Sequence, residues 1–442
     1  RPFIAARVIS AFIKFFGLDC EFGKSGETAG IIAKRWLDRF YIAKEASFVI
    51  KSWLDAKGEK EVVKSYIGPW LEKYPLEMET RFVIKSWLDA GGDKGEVEKY
   101  VAPWLEKYPL EMETGFVIKS WLDAKGEKEV VKSYVGPWLA KYPLVMETGF
   151  VIKSWLNSHG EIEIVRPYVQ PWLNRYPQDE ENTSFVIKAW LEAGGEPEIV
   201  APAVKRWLEK FSTSFEATYV IKAWLNHTKN ADFIKTYALD WILAHKNNHE
   251  ADFVIKRFCR YKDIPTGVLD AAIHWYNKNA SDSEALFTLS YMTRFHMQYE
   301  KLAAPWLLET LSHWIEKNKL KRNDLLNLEN IMFNISTNKT FCHSEESKAL
   351  GVQWFLSRHS FLPLTSDNRY WFLHRPWYFE RYSRLLIEGR IDISAHQDRV
   401  EKFFKWIDGW SRNNKKRIKP HLDELNQALP HYAHLWQKVN IP

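Results

Sequence analysis

The octapeptide Phe48-Val49-Ile50-Lys51-Ser52-Trp53-Leu54-Asp55 returns at Phe82 and Phe116, and at Phe150 with Asn157 as its last residue, each start 34 residues after the one before. Looser copies open at Phe185, Tyr219 and Phe253, at steps of 35, 34 and 34. A fixed period of this length argues against one compact core and for a stack of like units, each packing on its neighbours. Such a stack also lets a chain of 442 residues escape the size limit of a single core.

Each unit reads as two helices. In the first copy, helix A spans about Glu45 to Ala56. Phe48, Val49, Ile50, Trp53, Leu54 and Ala56 cover most of its girth, and Lys51 and Asp55 share the narrow polar remainder. Gly58 is read as its stop. Helix B spans about Lys60 to Tyr74, with Val63, Tyr66, Ile67, Trp70 and Tyr74 on one face, and ends at Pro75. Pro69, Pro103, Pro137 and Pro171 fall inside successive helices B and should kink them. The chain holds 22 tryptophans, most at repeat positions. Trp53, Trp87, Trp121 and Trp155, with Trp70, Trp104, Trp138 and Trp172, are the expected core.

The register resembles the tetratricopeptide repeat. That family's Leu, Tyr and large apolar positions fall on Ile50, Leu54 and Ile67, and its closing Pro on Pro75. Its small helix-contact residues are replaced by Lys51, Val63 and Trp70. Ser52, with Ser86, Ser120, Ser154, Ala189 and Ala223, is the expected close-packing site instead. The fold class is therefore all-α, a right-handed α-solenoid with its own interhelical geometry. Residues 1–47 form a degenerate first repeat, 48–280 the 34-residue helical repeats, 281–330 divergent terminal repeats, and 331–442 a helical C-terminal domain or cap. A small mixed fold between Ser360 and Pro376 stays open as an alternative.

Enzyme chemistry has little to stand on. Cys20, Cys259 and Cys342 are far apart, the 14 histidines show no metal-binding spacing, and Gly23-Lys24-Ser25 lacks the rest of a phosphate loop. A catalytic group is normally unique, whereas the paired acids Glu77 and Glu79 recur with the repeat. We therefore expect no catalysis by this chain, no cofactor and no metal. No apolar run approaches the length of a membrane span, and a cytoplasmic address is expected. The chain opens on Arg1, which reads as a piece of a longer protein.

The candidate binding feature is a ladder of helix A lysines: Lys51, Lys85, Lys119, Lys153, Lys188, Lys222 and Lys256. Asp55, Asp89, Asp123 and Glu192 stand four residues on and should neutralise their partners, each such pair contributing about 0.3–0.5 kcal/mol. The acid lapses at Asn157, Asn226 and Arg260, so the stripe should turn positive toward its C-terminal half. Lys153, Lys188, Lys222 and Lys256, with Arg260, are the expected ligand-binding residues. An alternative patch mixes aromatics with arginine at Arg369, Trp371, His374, Arg375 and Trp377. The run Lys415-Lys416-Arg417-Ile418-Lys419 reads as a solvated loop able to touch phosphates.

The array is similar to those that end bacterial immune NTPases of the STAND type, in which the array senses an invader's protein. That resemblance implies a recognition module, a sensor or scaffold binding a protein ligand. The alternative is a helical-repeat protein contacting a nucleic-acid backbone. Ser52, Asp55 and their equivalents hardly vary in the first copies, so they cannot encode a base sequence.

Overall fold

The structure is a computed structural model that describes residues 2–21, 26–177, 179–228, 230, 232–248, 251–259, 264, 266–295, 305–317, 320–338, 342–357, 360, 375–410 and 412–437. Helices make up nearly all of it. The β-structure among the described residues is a single bridge between Glu21 and Thr28. The chain divides into two bodies, Arg1–Asn230 and Ala231–Pro442.

The N-terminal body holds α1 (Pro2–Phe16), α2 (Ala29–Phe40), α3 (Ala46–Asp55), α4 (Lys60–Lys73), α5 (Thr80–Asp89), α6 (Glu98–Lys107), α7 (Thr114–Asp123), α8 (Lys128–Lys141), α9 (Met146–Asn157), α10 (Ile162–Arg175), α11 (Glu180–Glu192), α12 (Pro197–Phe211) and α13 (Ala217–His227). From α3 onward, odd numbers are helices A and even numbers helices B. Each helix A packs on the next helix A, from α3 to α13, and α6, α8, α10 and α12 pack on one another in the same way. The result is an all-helical repeat array, as the 34-residue period requires.

Two tryptophans per repeat lock it, by different bonds. The helix A indole closes its own unit: Trp87 Nε1 donates to the Asp93 carbonyl at 2.8 Å, Trp121 to Glu127 at 2.9 Å and Trp155 to Glu161 at 3.0 Å. The helix B indole ties its unit to the loop ahead of helix A: Trp104 donates to Glu77 at 2.9 Å, Trp138 to Glu111 at 2.8 Å and Trp172 to Val145 at 2.9 Å. These indoles are fully buried, as the core expectation required. The expected small position at Trp70 is thus filled by a ring, because the ring supplies the donor that the loop carbonyl needs. Trp36 marks where the rule stops. The carbonyl 27 residues before it belongs to Ile9, inside α1, where helix bonds claim it, and the buried Trp36 Nε1 has no partner among the described residues.

The stop of helix A differs from the sequence expectation. Gly58 is not the left-handed residue; Lys57 is, at φ 58°, followed by Lys125 at 57° and His159 at 55° in later copies. The amide of Gly58 bonds back to the Trp53 carbonyl and that of Lys57 to Leu54, the paired pattern of a Schellman stop. Gly126 and Gly160 are required for space instead, since a β-carbon on either would overlap the ring of Trp121 or Trp155. The helix B prolines do not end their helices. α4, α6, α8 and α10 run on through Pro69, Pro103, Pro137 and Pro171. All four are exposed, so the carbonyl each leaves unpaired faces water.

The C-terminal body continues with α14 (Lys235–His245), α15 (Ala251–Phe258), α16 (Thr266–Lys278), α17 (Ser283–Phe295), α18 (Pro305–Glu316), α19 (Arg322–Thr337), α20 (Glu345–Leu356), α21 (Arg375–Ile387), α22 (Gln397–Asp408) and α23 (Arg412–Ala428). Packing of a helix on the next but one recurs here, in α14 with α16, α15 with α17, α17 with α19, α18 with α20, α19 with α21 and α21 with α23. The run Lys415 to Lys419 lies within α23, not in a loop; Pro420 is exposed and the helix continues past it. Most of Ser360–Pro376, with its open alternative of a mixed fold, lies outside the described residues.

Candidate recognition surface

Helix A presents a narrow outer face. Positions 48, 51 and 55 fall within one arc of a helix, and their equivalents repeat along the N-terminal body. The first of them is aromatic in every copy: Phe48, Phe82, Phe116, Phe150, Phe185 and Tyr219 are each half-buried. The sequence reading counted Phe48 only as part of the apolar girth of helix A, because an apolar residue on a mostly apolar helix gives no sign of facing out. They form instead the floor of a surface stripe. Phe48 and Phe82 lie 5.7 Å apart between centroids, and Phe185 and Tyr219 lie 6.0 Å apart.

Charge is laid over the rings in pairs. Lys51 pairs with Asp55, Lys85 with Asp89 at 2.6 Å, Lys119 with Asp123 at 2.8 Å and Lys188 with Glu192 at 3.6 Å. The same aspartates accept a second bond from the next repeat. Ser86 donates to Asp55 at 3.2 Å, Ser120 to Asp89 at 2.6 Å and Ser154 to Asp123 at 2.6 Å. Ser86, Ser120 and Ser154 are buried, so the close-packing expectation for this position holds and gains a polar partner. Where Asp gives way to Asn157, the following serine gives way to Ala189.

The expected positive half of the ladder is not open. Lys153 has no carboxylate partner among the described residues, but its ammonium rests over the Phe185 ring at 4.3 Å. Lys222 is not without a partner either. The expectation for Lys256, in the C-terminal body, is corrected outright. Its acid lies four residues before it rather than after: Asp252 at 2.6 Å, with Glu284 at 2.5 Å. Burial raises the Asp252 carboxyl above its usual range, opposed by the Lys256 and Thr288 bonds. Arg260 lies outside the described residues, as do Arg369, Trp371 and His374 of the alternative patch. Arg375 opens α21, and Trp377, two residues on, is exposed.

Open cations occur elsewhere. Arg412, Lys416 and Lys419 share one exposed row of α23, with Arg417 beside it, and none pairs with an acid among the described residues. Lys415 of the same run is buried and bound to Asp408 at 2.8 Å.

Among the described residues no group of His, Cys, Asp or Glu could hold a metal ion, and no helix is long and apolar enough to cross a membrane. No protein-family model and no curated protein matches the chain. Among solved structures it is similar to human Puf-A, solved in complex with DNA, at 11% identity and a TM-score of 0.36 over 99% of each chain.

Proposed function

We propose that the chain is a recognition module that binds a protein ligand along the helix A stripe of the N-terminal body. The observation that carries this is the pairing of charge above a row of half-buried rings, one in each repeat. Half-buried rings offer apolar anchors, and paired Lys and Asp give direction without a net field. A polyanion needs open cations, whereas Lys51, Lys85, Lys119 and Lys188 of the stripe are paired with acids and Lys153 rests on a ring. A base needs an open slot between rings, whereas Phe48 already meets Phe82 and Phe185 already meets Tyr219. A sensor or scaffold role within a larger protein, like that of arrays in immune NTPases, is the finer form of the same reading, and the chain's part in it is binding rather than catalysis.

The test exchanges charge without changing its sum. In the quadruple variant Lys85→Asp, Asp89→Lys, Lys119→Asp and Asp123→Lys, the stripe keeps its net charge but reverses each pair. Ligand captured by the wild-type chain from nuclease-treated extract should be lost by at least about tenfold, as for buried or oriented charge pairs at interfaces. Unchanged capture by the reversed stripe, or capture abolished by nuclease, would refute the reading.

A second reading has its own observation, the open row on α23. Arg412, Lys416, Arg417 and Lys419 suit the phosphates of a nucleic acid. If they carry binding, replacing Lys416, Arg417 and Lys419 with Gln should lower the slope of log affinity against log salt by about three on duplex DNA. An unchanged slope would exclude this row.

A further inference from the structure

A cavity of about 510 Å³ opens in the C-terminal body, lined by Ser336, Cys342, His343, Trp377, Arg381 and Leu385 among others. Its lining holds Arg381, a charge with no counterion among the described residues. Arg381 is largely buried, and a guanidinium cannot shed its proton in a protein. Burying such a charge is costly unless an anion and hydrogen bonds compensate it. Arg381 Nη2 donates to the Ser347 carbonyl and, at 2.9 Å, to Ser347 Oγ, which supplies hydrogen bonds but no negative charge.

The carboxylates that line the cavity are engaged with other cations. Glu380 holds Arg384 at 2.9 Å, and Glu388 holds Lys348 at 3.1 Å. Among the described residues no carboxylate pairs with Arg381. Burial pulls its guanidinium below the usual value, and the groups that oppose this are the phenols of Tyr382 and Tyr378 and the Cys342 thiol, none of them a carboxylate. The position is nevertheless built. Gly351 of α20 gives the guanidinium its room, since a β-carbon there would stand 3.0 Å from both Nε and Nη2. Trp377, 46% exposed, forms an apolar wall together with Leu385.

We propose that this cavity binds a small oxyanion, a carboxylate or phosphate group, whose apolar remainder lies against Trp377 and Leu385. The anion completes the charge balance of Arg381, and the volume admits a small molecule rather than a polymer. His343 and Ser336 stand in the same lining and offer further hydrogen bonds.

The experiment measures the thermal midpoint of the full chain in HEPES buffer, alone and with inorganic phosphate or benzoate. At least one anion should raise the wild-type midpoint by about 2 °C or more at concentrations well above its dissociation constant. Arg381→Gln should abolish that rise, while Lys205→Gln, an exposed lysine on α12, should keep it. A rise with phosphate alone assigns a phosphoryl ligand; a rise with benzoate alone assigns a carboxylate. If Arg381→Gln does not fold, Thr337→Trp fills the lining while leaving the guanidinium in place, and it too should abolish the rise. No rise with either anion in the wild-type chain, or an equal rise in the cavity variants, overturns the proposal.

Discussion

Trp138→Ala is expected to destabilise the N-terminal body by about 3–5 kcal/mol, the usual cost of emptying a buried aromatic site. The indole is completely buried, its Nε1 donates to the Glu111 carbonyl at 2.8 Å, and its ring lies 5.3 Å from that of Tyr142. Gly115 faces the ring so closely that a β-carbon would overlap it. Truncation therefore removes apolar area and leaves a loop carbonyl unpaired. In a stack, each interface holds only its neighbours. Hydrogen exchange should accelerate first in α7, α8 and the loop between α6 and α7, with α3 and α13 lagging. A loss under about 1 kcal/mol by denaturant titration would show that the neighbouring units collapse into the gap.

The second large effect lies at one turn, where adjacent residues should respond in opposite directions. Gly126→Ala drives a methyl into the Trp121 ring and is expected to cost about 1–3 kcal/mol. Lys125→Gly relieves a left-handed lysine at φ 57° and should gain up to about 1 kcal/mol. Chemical denaturation of the two single variants checks the signs. Two losses would mean that the Lys125 side chain gives more than its backbone costs.

That turn shows what could be read from the sequence and what could not. The 34-residue period located both helices and both tryptophans, because burial repeats wherever packing repeats. Gly58 was visible as a conserved spacing within the chain, but its reason was not. Glycine serves equally to turn a backbone and to make room, and only the position of the indole separates the two. Phe48 went unremarked as a surface ring for a related cause: an aromatic residue suits both a core and a binding floor. The partner of Lys256 was missed because only the residue four places after it was considered, whereas a helix offers Asp252 four places before. The C-terminal body was read least. Arg381 and Gly351 lie 30 residues apart and share no repeat register with the ladder, so nothing in the sequence brings them together. The basic run passed for a loop because Pro420 follows it, yet an exposed proline is tolerated inside α23.

The bond from Ser120 back to Asp89 makes each joint directional, a tenon on one block and a mortise on the block before it. Three consecutive joints carry the same fittings, Asp55 with Ser86, Asp89 with Ser120 and Asp123 with Ser154. Unequal crossing-over between these near-identical blocks would insert or delete whole units, and every seam so created would already have both of its fittings. A unit ending like Asn157 is made for a successor like Ala189 and would leave an inserted serine without its acid. The early blocks are therefore the ones along which such a gene could lengthen or shorten without any interval of misfolding, and the later ones have given up that freedom.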